Sequence, residues 1–136
     1  MSRRPAITLA IIALASATWQ TKLVAQQAVS QVPEGVTAAR IAEGGKLFKG
    51  PGVCFACHGP EGKGATTGPD LTDTLWIHGT GTFSEIVQQI VKGVPQNRSK
   101  SGLLMPPGGG GQLNDEEVKA VAAYVWSLSH PTMPSR

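Results

Sequence analysis

Cys54-Phe55-Ala56-Cys57-His58 gathers the residues of this chain best suited to chemistry. C-x-x-C-H is the attachment signature of a c-type haem. Two intervening residues set the thiols at the spacing of the two porphyrin vinyl groups, to which they add as thioethers. The histidine that follows directly can bring its imidazole to the iron as proximal ligand. These are the only two cysteines in the sequence, so no disulfide framework is expected. A thioredoxin-like dithiol expects a βαβ setting and a low-pKa thiol, whereas the flanks are Gly50-Pro51-Gly52 and Gly59-Pro60 with no strand pattern beside them. A structural zinc site needs four ligands, and two cysteines with three scattered histidines do not supply them. The motif therefore predicts one haem c, covalent through Cys54 and Cys57, with His58 on the metal.

Three short helices are available to position this motif. The first is predicted from about residue 37 to 48, with Thr37 as N-cap and Ile41, Gly44 and Phe48 on one face. Gly44 and Gly45 cost helix stability relative to Ala, which suggests a close helix-to-helix approach at one of them. Thr82-Phe83-Ser84-Glu85 opens a second helix as a capping box. Ile86, Val87, Ile90 and Val91 form its apolar face, and Gly93 ends it. Asn114 caps a third helix, whose opening Asp115, Glu116 and Glu117 suit its positive N-terminal end. Val118, Val121, Ala122, Val125 and Leu128 form its buried stripe, and His130-Pro131 closes it. Loops dense in Gly and Pro, 50–68 and 106–111, lie between. Neither alternating strands nor an internal repeat is seen. Helices this short build little core from side chains alone, so a covalently held apolar macrocycle is expected to complete it and the apoprotein to be mostly unfolded.

The length of 136 residues suits one small domain. Arg3 and Arg4 form a basic start and residues 6–15 an uncharged apolar run too short for a comfortable membrane span, so 1–25 is predicted to be a signal peptide. Ala15-Ser16-Ala17 and Leu23-Val24-Ala25 both fit cleavage, and the later leaves Gln26 as a polar start. An uncleaved anchor is the alternative. The Arg3-Arg4 pair also matches twin-arginine export, but that route carries folded cargo, whereas haem c joins the apoprotein outside the cytoplasm. The expected organisation is then a flexible lead-in over 26–36, a haem domain over 37–130 and a tail over 131–136. Of the 12 Lys and Arg, Arg3, Arg4 and Lys22 precede residue 26, which leaves as many bases as the 9 acids. A near-neutral mature chain without a basic stripe excludes nucleic acid as a partner and predicts weak long-range steering.

Taken in order, Gly44-x-x-x-Phe48, Cys54-x-x-Cys57-His58, Gly68-Pro69-x-Leu71, Met105-Pro106 and Tyr124 in the closing helix resemble the class I cytochrome c family. The likeness covers residues 37–129. Leu71-Thr72-Asp73-x-x-Trp76, and Met105-Pro106 followed by Leu113-x-x-Glu116, are similar to the single-haem modules of cbb3-oxidase subunit III. The resemblance implies an all-α cytochrome c-type fold of about three short helices and Gly/Pro-rich loops around one covalent haem. It also implies that Met105 is the distal ligand through its sulfur, stiffened by Pro106 and Pro107. Pro69 would hold the second ring nitrogen of His58 through its carbonyl, and Leu71 would pack on the haem. Trp76 would either donate its indole N–H to a propionate or sit as a half-buried core residue. His78 is expected near the surface or the propionates and His130 to be exposed. Arg98 and Lys100 read as a solvated charged loop, with a propionate pairing as the alternative. Gly108 to Gly111 reads as a spacer, or as a hinge that lets the Met105 loop open.

The expected function is one-electron transfer rather than enzymatic catalysis, since iron ligated on both sides leaves no position for substrate. No Ser/His/Asp set, paired-carboxylate site or phosphate-binding loop competes with it. The chain would be a periplasmic or otherwise extracytoplasmic carrier, or the haem subunit of a respiratory or dehydrogenase complex, with redox proteins as donor and acceptor. Membrane contact would come only through an uncleaved leader or such a complex. A haem-based gas or redox sensor with a labile Met105 is the alternative, and a peroxidase-like enzyme, which needs a distal base, fits least.

Overall fold

The computed structural model describes residues 32–131. The predicted signal peptide, most of the lead-in and residues 132–136 lie outside the described residues. The chain forms two units, Met1–Glu34 and Gly35–Arg136, and every described helix belongs to the second. There are four: α1 (Ala38–Lys49), α2 (Phe55–His58), α3 (Phe83–Lys92) and α4 (Asp115–Leu128). Two 3₁₀ turns, Gln96–Arg98 and Pro107–Gly110, punctuate the loop between α3 and α4. Among the described residues only isolated bridges replace strands, so the fold is a small all-α one. No described helix is long and apolar enough to cross a membrane.

The helix starts follow their capping chemistry. Thr37 Oγ1 accepts from Arg40 N at 3.2 Å. Thr82 and Glu85 exchange the two bonds of a capping box, and so do Asn114 and Glu117. α3 stops at Gly93, whose φ of 63° suits a residue without a side chain. The unforeseen helix, α2, is a single turn that carries Phe55 to His58 itself, closed by His58 N donating to Cys54 O at 3.0 Å.

α4 is the centre of the fold and packs mainly on α1, then on α3. Its burial extends beyond the expected stripe: Ala120, Ala123 and Trp126 are buried with Val118, Val121, Ala122 and Val125, while Leu128 is half-buried. A helix covered on two sides is apolar nearly all round. The α1 crossing is made at Gly44, where a methyl group would overlap the Ala120 carbonyl and come within 2.9 Å of Tyr124 Cβ. Phe48, wholly buried, meets the Tyr124 ring at 5.3 Å between centroids, tilted by 60°, a favoured aromatic geometry. On α3, Ile86 and Ile90 are buried but Val91 is exposed, because it points away from α4.

Candidate haem site

Cys54, at the N-cap of α2, is buried, with its Sγ donating to Gly52 O at 3.3 Å. Burial raises its thiol pKa, and the neighbouring Cys57 adds to the rise. Such a thiol lacks the thiolate character of a thioredoxin-type nucleophile. Ahead of it, Val53 holds a φ of 56°, the one left-handed non-glycine conformation among the described residues. That turn lies between α1 and α2, immediately before Cys54.

His58, at the end of α2, has its Nδ1 3.0 Å from Pro69 O. A carbonyl only accepts, so Nδ1 carries the proton, and in the neutral ring Nε2 keeps its lone pair for a metal. Gly68 packs beneath: a methyl there would come within 2.6 Å of Cys57 O, so the 65–69 turn lies flat against α2.

Met105 is far from these residues in sequence and is brought back by backbone pairing. Val94 N donates to Met105 O at 2.8 Å and Met105 N to Val94 O at 2.9 Å. Gly93 permits the approach, since a side chain there would run into Met105 O and Pro107 N. The glycines at 108–111 are not a plain spacer. A methyl at Gly111 would overlap Pro51 O and lie 2.8 Å from Gly52 Cα, and one at Gly109 would lie 3.3 Å from Cys54 Sγ. The stretch after Met105 is therefore seated on the loop that leads into the cysteines.

These segments close round one cleft. Cys54, Cys57, His58 and Met105 all line it, and so do Pro69, Leu71 and Trp76. Apolar residues that the sequence reading did not single out, Leu75, Ile77, Leu103 and Leu104 among them, complete its walls. Trp76 is half-buried, its Nε1 edge against the Gly81 α-carbon. His78 also lines the cleft, and its Nε2 accepts from Lys100 N at 3.3 Å, which ties the Trp76 loop to the loop before Met105. Arg98 and Lys100 are exposed. His130, expected to be exposed, is half-buried: it stacks on Trp126 at 4.0 Å, with Nδ1 2.8 Å from Trp126 O. One turn after Trp126, its ring lies along the same side of the helix end.

One polar side chain in the cleft went unforeseen. Gln89 of α3 lines the cleft and its Nε2 lies 4.0 Å from Met105 Sδ. The signal for it is its place three residues after Ile86 and one before Ile90, on the buried face of α3.

Two thiols, an imidazole with a free Nε2, a thioether and apolar walls about a single cleft fit a covalently held haem. A small all-α fold built round that set defines a haem-based electron-transfer protein. The cytochrome c family model matches residues 41–129, and the chain belongs to that family, as a class I cytochrome c with haem c attached through Cys54 and Cys57. Among curated relatives, the cbb3-type cytochrome c oxidase subunit CcoP of Rubrivivax gelatinosus is 39% identical over 82 residues, covering 57% of this chain and 23% of that subunit. The subunit FixP of Bradyrhizobium diazoefficiens is 40% identical over 78 residues, covering 56% and 27%. FixP of Azorhizobium caulinodans is 35% identical over 101 residues, covering 74% and 33%. The matched region thus spans a quarter to a third of these relatives' length. No solved structure matches the chain.

Proposed function

We propose that His58 Nε2 and Met105 Sδ are the two protein ligands of the haem iron, and that the chain passes single electrons between redox proteins. The observation that carries this is the joint lining of one cleft by both side chains and both cysteines. The haem supplies a one-electron couple between its ferric and ferrous states. The protein's part is to hold and to exclude. Pro69 O fixes the tautomer and ring angle of His58. The Val94–Met105 pairing anchors the Met105 backbone beside the cleft, and Leu71 with Ile77 adds apolar surface to its wall. Trp76, whose indole N–H has no protein acceptor among the described residues, would donate to a propionate.

The similarity to cbb3-type oxidase subunits supports a place in respiratory electron transfer outside the cytoplasm. In that place the chain is a carrier, or the haem module of a membrane complex, and not itself an enzyme. The sensor alternative needs the Met105 side chain to leave, and its backbone pairing with Val94 together with the Gln89 contact at its sulfur supports the carrier instead. Optical spectra of the reduced holoprotein test this. A spectrum unchanged by carbon monoxide is expected, and a Soret shift on adding it would replace the carrier with a sensor or an enzyme.

A further inference from the structure

Two adjacent glutamines on α3 have different fates. Gln88 is exposed and accepts from Lys92 Nζ at 3.4 Å. Gln89 shares the face of Ile86, Ile90 and Gly93 and lines the cleft beside Met105. An amide set in an apolar wall is costly without a hydrogen-bond partner. Among the described residues its side chain has one, Met105 Sδ, 4.0 Å from Nε2. The chemistry settles which end of the amide faces the sulfur: a thioether only accepts, so N–H meets it and Oε1 cannot.

We infer that Gln89 is a positioning residue for Met105, its amide N–H engaging one lone pair of the thioether and leaving the other for iron. This rests on the reading of Met105 as a ligand. Two consequences follow. The sulfur is held by its own contact as well as by the Val94–Met105 backbone pairing. The N–H also draws electron density from the sulfur, which weakens its donation and favours the ferrous over the ferric state.

The test compares wild-type holoprotein with Gln89→Leu, which keeps the bulk and removes the donor, and with Gln88→Leu on the solvent side of the same helix. Two quantities are read: the sulfur-to-iron charge-transfer absorption of the ferric protein, and the ferrous-to-ferric ratio at a fixed ambient potential. Gln89→Leu is expected to keep the absorption band but shift its position, and to lower the ratio about threefold, as for loss of one weak hydrogen bond. Gln88→Leu is expected to change neither. If Gln89→Leu does not take up haem, Gln89→Asn withdraws the amide by one methylene and is expected to shift the ratio in the same direction. An unchanged ratio in the Gln89 variant, with the wild-type band present, overturns the inference alone. A wild-type ferric protein without that band overturns the Met105 reading, and the inference with it.

Discussion

The α-carbon of Gly44 rests on the backbone carbonyl of Ala120, and this contact sets how closely α1 and α4 cross. A side chain there meets backbone that cannot turn aside. Gly44→Ala gains about 1 kcal/mol of helix propensity but overpacks the crossing by about 3 kcal/mol, for a net loss of about 2 kcal/mol. Gly45 is the control. A methyl there would lie 3.3 Å from the Tyr124 ring, which can shift, so Gly45→Ala is expected to be neutral or up to about 1 kcal/mol stabilising. Denaturant unfolding of the two holoproteins checks the pair, and equal effects would remove the close crossing from the account.

Val53 has a β-branched side chain at a φ of 56° and is 42% exposed, so its packing offsets the strain only in part. Left-handed backbone costs an L-residue about 1–2 kcal/mol, whereas glycine adopts it freely at an entropic cost of about 0.5–1 kcal/mol in the unfolded chain. Val53→Gly is therefore expected to stabilise the holoprotein by about 0.5–1 kcal/mol without altering its haem spectrum. A thermal melt at or below the wild-type midpoint would count against the strained turn.

Glu85 does more than cap α3. Its Oε2 accepts from Thr80 Oγ1 at 2.7 Å, Thr80 N at 2.8 Å and Thr82 N at 3.3 Å, fastening the loop that backs Trp76. These bonds, the Thr80 hydroxyl first, lower its pKa from 4.5 to about 2. A lowered folded value means that the carboxylate stabilises the fold fully above pH 4.5. That contribution then drains away as the pH falls from 4.5 towards 2. In Glu85→Gln the same acid limb should be shallower, with lower stability at neutral pH, as measured by unfolding across pH 2–7. An unchanged acid limb would mean that other carboxylates carry it, such as Glu116 held low by Lys119.

The helices were legible because their ends are local chemistry. Thr37, Thr82 with Glu85, and Asn114 each lie within a turn of the donors they satisfy. The cysteines and His58 were legible because a covalent motif is local too. The remaining features depend on pairing across distance. Met105 reaches the cleft through Val94, the fate of Gln89 rests on which side of α3 meets Met105, and His130 turns back onto Trp126. Four successive glycines look like slack in a sequence, and only the nearness of residues 51–54 shows that two of them are contacts.

Gly111 tests whether that contact keeps the Met105 loop shut. Its φ of −91° suits any residue, so Gly111→Ala carries no backbone strain and acts only by driving the loop off Pro51 and Gly52. Gly108 is the converse, with a φ of 67° and nothing within 4 Å of where a methyl would sit. Gly108→Ala costs about 1 kcal/mol in strain yet leaves the packing alone. If seating on the cysteine loop holds Met105 in place, the reduced Gly111→Ala holoprotein should bind carbon monoxide and shift its Soret band, which wild type leaves unchanged. Gly108→Ala should leave the band unchanged, as wild type does, despite its lower melting temperature. An unchanged band in both variants would mean that the Val94–Met105 pairing suffices by itself, and that the glycines serve only to bring the chain round to α4.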